Sequence, residues 1–115
     1  MHGPQIFYSS KLMENNGRYI LNDAGNPVPE PDLIKWAQWF EDSGEKRRVA
    51  HDVRGNLSIS TVFIALDHSF GEGEPMLYET MVFGGSDDMQ RRYHTREEAL
   101  AGHNKILAKI PEYGN

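Results

Sequence analysis

Apolar residues alternate with polar ones through the middle of the chain and recur at helical spacing on either side of it. The centre is Leu57–Gly85, LSISTVFIALDHSFGEGEPMLYETMVFGG, and its pattern predicts two long strands joined by a short Gly/Glu/Pro loop. The first strand runs from Leu57 to His68 and ends in Asp67-His68; the second carries Tyr78-Glu79-Thr80. One face of the first holds Leu57, Ile59, Thr61, Phe63 and Ala65, the other Ser58, Ser60, Val62, Ile64, Leu66 and His68. In the second, Leu77, Glu79, Met81 and Phe83 alternate with Met76, Tyr78, Thr80 and Val82. Both faces are apolar along much of their length, unlike a sheet with one wet face. Each therefore needs a cover, either a helix or a second protomer. Exposed apolar patches mark interfaces, so a homo-oligomer is expected.

Upstream, Arg47 to Arg54 alternates as a strand, and Gly55-Asn56 forms a two-residue turn of type II′. That turn sets the pairing: Arg54 opposite Leu57, Asp52 opposite Ile59, Ala50 opposite Thr61, His51 opposite Ser60 and Val49 opposite Val62. Two helices are predicted. In Asp32–Ser43, Asp32 caps the first turn, Leu33, Trp36, Ala37 and Phe40 form the apolar stripe, and Gly44 follows as the C′ residue. Ile34 and Trp39 lie off that stripe and either widen the core face or meet a partner. In Thr95–Lys109, Thr95 and Glu98 make a capping box, with Ala99, His103, Ile106, Leu107 and Ile110 on the buried face and Pro111 as the stop. Arg18–Leu21 is a short strand, Asn22–Pro27 a turn, Val28 the start of a second strand, and Arg91–His94 an edge strand. The expected organisation is an N-terminal arm over 1–17, a single α+β domain over 18–111 and a tail over 112–115. The fold is expected to be an antiparallel sheet of about four strands with both helices packed on it.

The chain has 115 residues, enough for one hydrophobic core. Mean hydropathy is −0.63, yet ten aromatic residues besides the two Trp set it apart from a disordered composition. A net charge of −5 argues against general binding to a phosphate backbone. The chain has no cysteine, so disulfides, thiolate metal sites and a cysteine nucleophile are excluded. Met1–Ser10 lacks the pattern of a signal peptide, and the longest apolar run, Val62–Leu66, is too short to span a membrane.

The candidate chemistry is sparse. His68, Glu79, His94, His103 and Asp67 sit near strand ends or on the last helix, where His and carboxylate groups can bind a metal. No metal-ligand spacing is present, so no metal and no cofactor are expected. The alternative is a metal-dependent or acid–base enzyme built on His68, Glu79 and His94. The plainer reading has Asp67 and His68 holding loop ends, His94 preceding a cap and His103 packing under a helix. Phe70–Pro75 is Gly-rich, but its two glutamates repel phosphate and a strand follows it. An anion would be met first by Arg47, Arg48, Arg91 and Arg92. Glu79 is the odd residue, a lone charge among Leu77, Met81 and Phe83, and Arg48 is its expected partner. Candidate binding residues are therefore Trp39, Arg48, Asp67, His68, Glu79, Arg91, Arg92 and His94.

Three blocks carry a resemblance: VFIALDHSF at Val62–Phe70, GEPMLYETMVFGG at Gly73–Gly85, and RYHTREEALAGH at Arg92–His103. Together with WAQWFE at Trp36–Glu41 and RRVA at Arg47–Ala50, they resemble a family of small uncharacterised phage and prophage proteins. The likeness covers Tyr19 to Ile110 and leaves the arm outside it. It implies a protein of the bacterial host cytoplasm with no established activity. By analogy of class it also implies a non-enzymatic accessory protein, binding a host macromolecule or a small signalling molecule, with host-defence inhibition as one form of that role.

Overall fold

The computed structural model describes residues 17–68, 73–85 and 88–110. The expected arm up to Asn16, the middle of the Gly-rich loop at Phe70–Glu72, the Pro111 stop and the tail lie outside the described residues. The chain forms two compact units. The first takes described residues 17–44, 65–68 and 73–76; the second takes 45–64, 77–85 and 88–110.

In the first unit, β1 (Tyr19–Leu21) pairs antiparallel with β2 (Pro27–Pro29). The turn between them is built by Asn22, whose side-chain oxygen accepts from the backbone N–H groups of Ala24 at 3.0 Å and Asn26 at 2.9 Å. Helix α1 (Leu33–Asp42) starts at the expected cap, where Asp32 Oδ1 accepts from Ile34 N–H at 2.9 Å and Lys35 N–H at 3.0 Å. The Trp36 indole N–H donates to the carbonyls of Tyr19 and Ala65, both at 3.1 Å, and the ring lies 5.3 Å from Phe40. The expected stripe is only partly buried: Trp36 and Phe40 are half-buried, but Leu33 is 56% exposed. Gly44 follows the Ser43 C-cap at C′, as expected, but without the left-handed φ of a glycine cap. Ser43 caps the end of α1, and Gly44 opens a one-turn helix, α2 (Gly44–Arg47), so Arg47 is helical rather than the first residue of a strand.

In the second unit, β3 (Arg48–Arg54), β4 (Leu57–Phe63), β5 (Tyr78–Phe83) and β6 (Met89–Tyr93) form an antiparallel sheet in that order. This is the expected α+β fold, with α3 (Arg96–Lys109) packed across all four strands. The β3–β4 pairing follows the turn arithmetic from Arg54↔Leu57 to Ala50↔Thr61. Gly55 has φ +60, as a type II′ turn requires. The pairing then departs: a bulge puts Arg48, not Val49, opposite Val62. The first central strand is also shorter than expected, ending at Phe63 rather than His68. Ala65 takes a left-handed φ of +65 and breaks the alternation, so a long connection replaces the short loop. Gly84, at φ +95, closes β5 against the β3–β4 turn, where a Cβ would overlap the Asn56 carbonyl.

The core under α3 consists of Ile59, Phe63, Tyr78, Val82 and Ala99, with Phe63 and Tyr78 ring centroids 5.3 Å apart. Among the described elements of this unit, α3 alone covers a face. The opposite face is mixed rather than apolar: Ser58, Ser60, His51, Glu79 and Arg92 share it with Val62 and Met81. Val53 there is 57% exposed and Phe83 44%.

Candidate functional site

Two features lie where α3 meets the sheet. The first is a buried chain of polar side chains. The capping box fixes the start of α3: Thr95 Oγ1 accepts from Glu98 N–H at 3.0 Å, and Glu98 Oε1 accepts from Thr95 N–H at 3.3 Å. Two turns on, His103 points at β3 and β4 and is fully buried. Its Nε2 lies 2.8 Å from Asp52 Oδ2 and its Nδ1 lies 2.7 Å from Thr61 Oγ1. Thr61 Oγ1 also meets Thr80 Oγ1. A carboxylate only accepts, so Nε2 carries the hydrogen toward Asp52. In the neutral ring Nδ1 then accepts from the Thr61 hydroxyl, which accepts in turn from Thr80. Asp52 also reaches Arg54 Nη1 at 3.7 Å.

Carboxylate, imidazole and hydroxyl in series form the order used to activate a nucleophile. Here both threonines have 0% exposure, so neither hydroxyl can meet a substrate in this arrangement. What the chain does is give partners to His103, Thr61 and Thr80, which are fully buried between α3 and the sheet, and this pins α3 in one position.

The second feature is a groove of about 610 Å³ between α3 and the β6 side of the sheet. Its apolar lining comes from Leu57, Val82, Met89, Tyr93, Ile106 and Ile110. Arg91, Lys105 and Lys109 add three exposed cations, and among the described residues no carboxylate lines it. Helical spacing explains this: Gly102, Lys105, Ile106 and Lys109 share one side of α3. On β6, Met89, Arg91 and Tyr93 alternate toward the helix. Gly102 lets the Tyr93 ring lie against the helix, because a Cβ there would overlap that ring. The side chains of Arg91, Lys105 and Lys109 make no hydrogen bond or ion pair with another described residue.

Of the residues singled out by sequence, Glu79 and Arg92 are brought together, with Arg92 Nε 3.0 Å from Glu79 Oε2 and the Gln90 amide on the same oxygen. The expected Glu79–Arg48 pair is not formed. The β5–β6 pairing sets Glu79 directly opposite Arg92, while Arg48 lies 4.0 Å from Glu45. Arg91 lines the groove, and strand alternation sends Arg92 to the other face. Trp39 is half-buried on α1. Asp67 Oδ1 accepts from Met76 N–H at 3.2 Å, and its own N–H donates to Gly17 O at 2.8 Å, so it ties chain segments together. His68 is exposed in the first unit. His94 donates its backbone N–H to Glu98 Oε1 at 3.0 Å, completing the cap. Among the described residues no three His, Asp or Glu side chains converge as a metal site. Among the described residues no helix is long and apolar enough to cross a membrane.

Sequence reasoning missed Asp52, Thr61 and Thr80 as partners of His103, and missed Lys105 and Lys109 altogether. The signal for the first group was present: a histidine on an apolar helix face needs polar groups opposite it.

Fold and site define a small α+β protein with a helix-covered antiparallel sheet, a sealed polar chain and an open groove lined by cations. Set against protein-family models, curated proteins and solved structures, the chain matches none of them.

Proposed function

We propose that this protein acts by binding rather than by catalysis, as a phage or prophage accessory protein that captures a component of the host cell. The groove beside α3 carries this reading. It has the volume of a ligand site, an apolar floor and three cations without a described partner. The constellation of described residues that orders carboxylate, imidazole and hydroxyl is closed to solvent at its hydroxyl end. An acid–base enzyme on His68, Glu79 and His94 has no comparable support, since Glu79 is engaged with Arg92 and Gln90.

The test is a paired capture from bacterial lysate, using the wild-type protein and an Arg91→Gln/Lys105→Gln/Lys109→Gln variant, with bound proteins and small molecules identified by mass spectrometry. Wild type is expected to retain a component that the variant loses. Identical captures sink the reading. Oligomerisation through the uncovered sheet face belongs to the same proposal. Size exclusion with light scattering checks it, and a monomer at high concentration removes it.

A further inference from the structure

We infer that the groove beside α3 binds an acyl-chain anion, a molecule with an extended aliphatic body and a carboxylate or phosphate head. This rests on the binding reading above and gives it a ligand class.

The floor excludes most other classes. Val82, Met89, Ile106 and Ile110 are aliphatic or thioether side chains with no hydrogen-bond donor and no acceptor beyond the weak Met89 sulfur to read a base or a sugar. The aromatic residue of the described lining, Tyr93, has its hydroxyl end packed against Gly102. Met89 is unbranched and adaptable, which suits a flexible chain better than a rigid one. A volume of about 610 Å³ accommodates a chain of medium length.

The charges point to the head. The protein carries a net charge of −5, yet the described residues of the groove lining include Arg91, Lys105 and Lys109 and no acid. Lys105 and Lys109 stand one turn apart on α3, and Arg91 reaches the groove from the strand below. An anion at this rim meets a planar forked donor from Arg91 and point charges from the lysines. An uncharged chain would leave these cations unused, and a polar anion would leave the floor unfilled. Charge and apolar area together select a molecule that has both.

Four probes test this: decanoate, decyl phosphate, decanol and AMP, each below its aggregation limit, with calorimetry for affinity and amide chemical shifts for position. Binding by either acyl anion is expected, with shifts at Met89, Gly102 and Ile106, and the tighter of the two identifies the head. Decanol should bind about ten-fold more weakly or worse, in keeping with the loss of charge-assisted hydrogen bonds. AMP should leave the groove shifts unchanged. Arg91→Gln should weaken decanoate about ten-fold by the same measure, and Ile106→Asp should abolish binding while the dispersed amide spectrum of a folded protein is kept. Equal affinity for decanol, groove shifts with AMP, or shifts outside the groove overturn the inference. If neither acyl anion binds, but the triple variant still loses a component that wild type captures from lysate, the acyl-chain inference fails and the binding reading stands.

Discussion

The two sides of α3 treat polar groups in opposite ways. Toward β3 and β4, His103, Thr61 and Thr80 are fully buried and bonded in series to Asp52. Toward β6, Arg91, Lys105 and Lys109 are exposed and have no partner among the described residues. A buried polar group without a partner costs far more than a bonded one contributes, so the first side must be complete. An exposed cation costs little, so the second can be left open for a ligand. The kind of residue does not separate structural from binding roles here; burial and the presence of a partner do.

The largest expected effect lies on the closed side. His103→Ala removes the ring, leaves a cavity and takes a partner from both Thr61 and Asp52. It should cost about 3–5 kcal/mol in urea unfolding. A loss below about 1 kcal/mol, no more than an ordinary hydrogen bond contributes, would show that the chain is not what holds α3.

Next come the threonines, which occupy different places in the series. Thr61 joins His103 to Thr80, whereas Thr80 ends the chain. Thr61→Val strands two groups and should cost about 2 kcal/mol; Thr80→Val strands none and should cost about 1 kcal/mol or less. Equal losses would mean that the hydroxyls act independently.

How much of this was legible in the sequence depends on what sets each feature. The β3–β4 register was legible because a two-residue turn at Gly55-Asn56 fixes the pairing by counting. The bulge at Arg48 was not, since an extra residue in a strand leaves no mark in composition. The capping box announced α3, and His103 fell on its predicted buried face. Ala65 misled: Ile64-Ala65-Leu66 continues the apolar run, and nothing about an alanine signals a left-handed φ. The Glu79–Arg92 pair needed the β5–β6 register, which the connection after Gly84 does not dictate. The groove depends on the angle at which α3 crosses the sheet, and residue spacing does not encode that angle.

Tyr78 offers a smaller probe of the closed side. Burial pushes its phenol above the ordinary value of 10.0, Arg96 pulls it back, and Glu97 pushes it further up. Folding therefore favours the protonated phenol. That contribution is complete below pH 10 and is lost as pH rises through the raised folded value. Wild type and Tyr78→Phe should differ in stability by a constant amount up to that range, and the difference should then move against wild type. A gap that stays constant to pH 11, past the ordinary phenol value of 10.0, would mean that the phenol is as solvated folded as unfolded.

The smallest stability effect belongs to the open side, and there a null result is informative. Arg91, Lys105 and Lys109 are exposed and unpaired among the described residues, so replacing all three with Gln should change unfolding free energy by no more than about 0.5 kcal/mol. Removing like charges that share one groove could even stabilise the fold slightly, because their mutual repulsion is relieved. A loss of about 2 kcal/mol, well beyond that of an ordinary surface substitution, would mean that these cations support the fold as the buried chain does, and the contrast between the two sides would fail. An unchanged fold combined with lost ligand capture leaves binding as the property these side chains serve. A groove that gathers cations in an acidic protein, with no carboxylate among its described lining residues, is suited to an anion from outside.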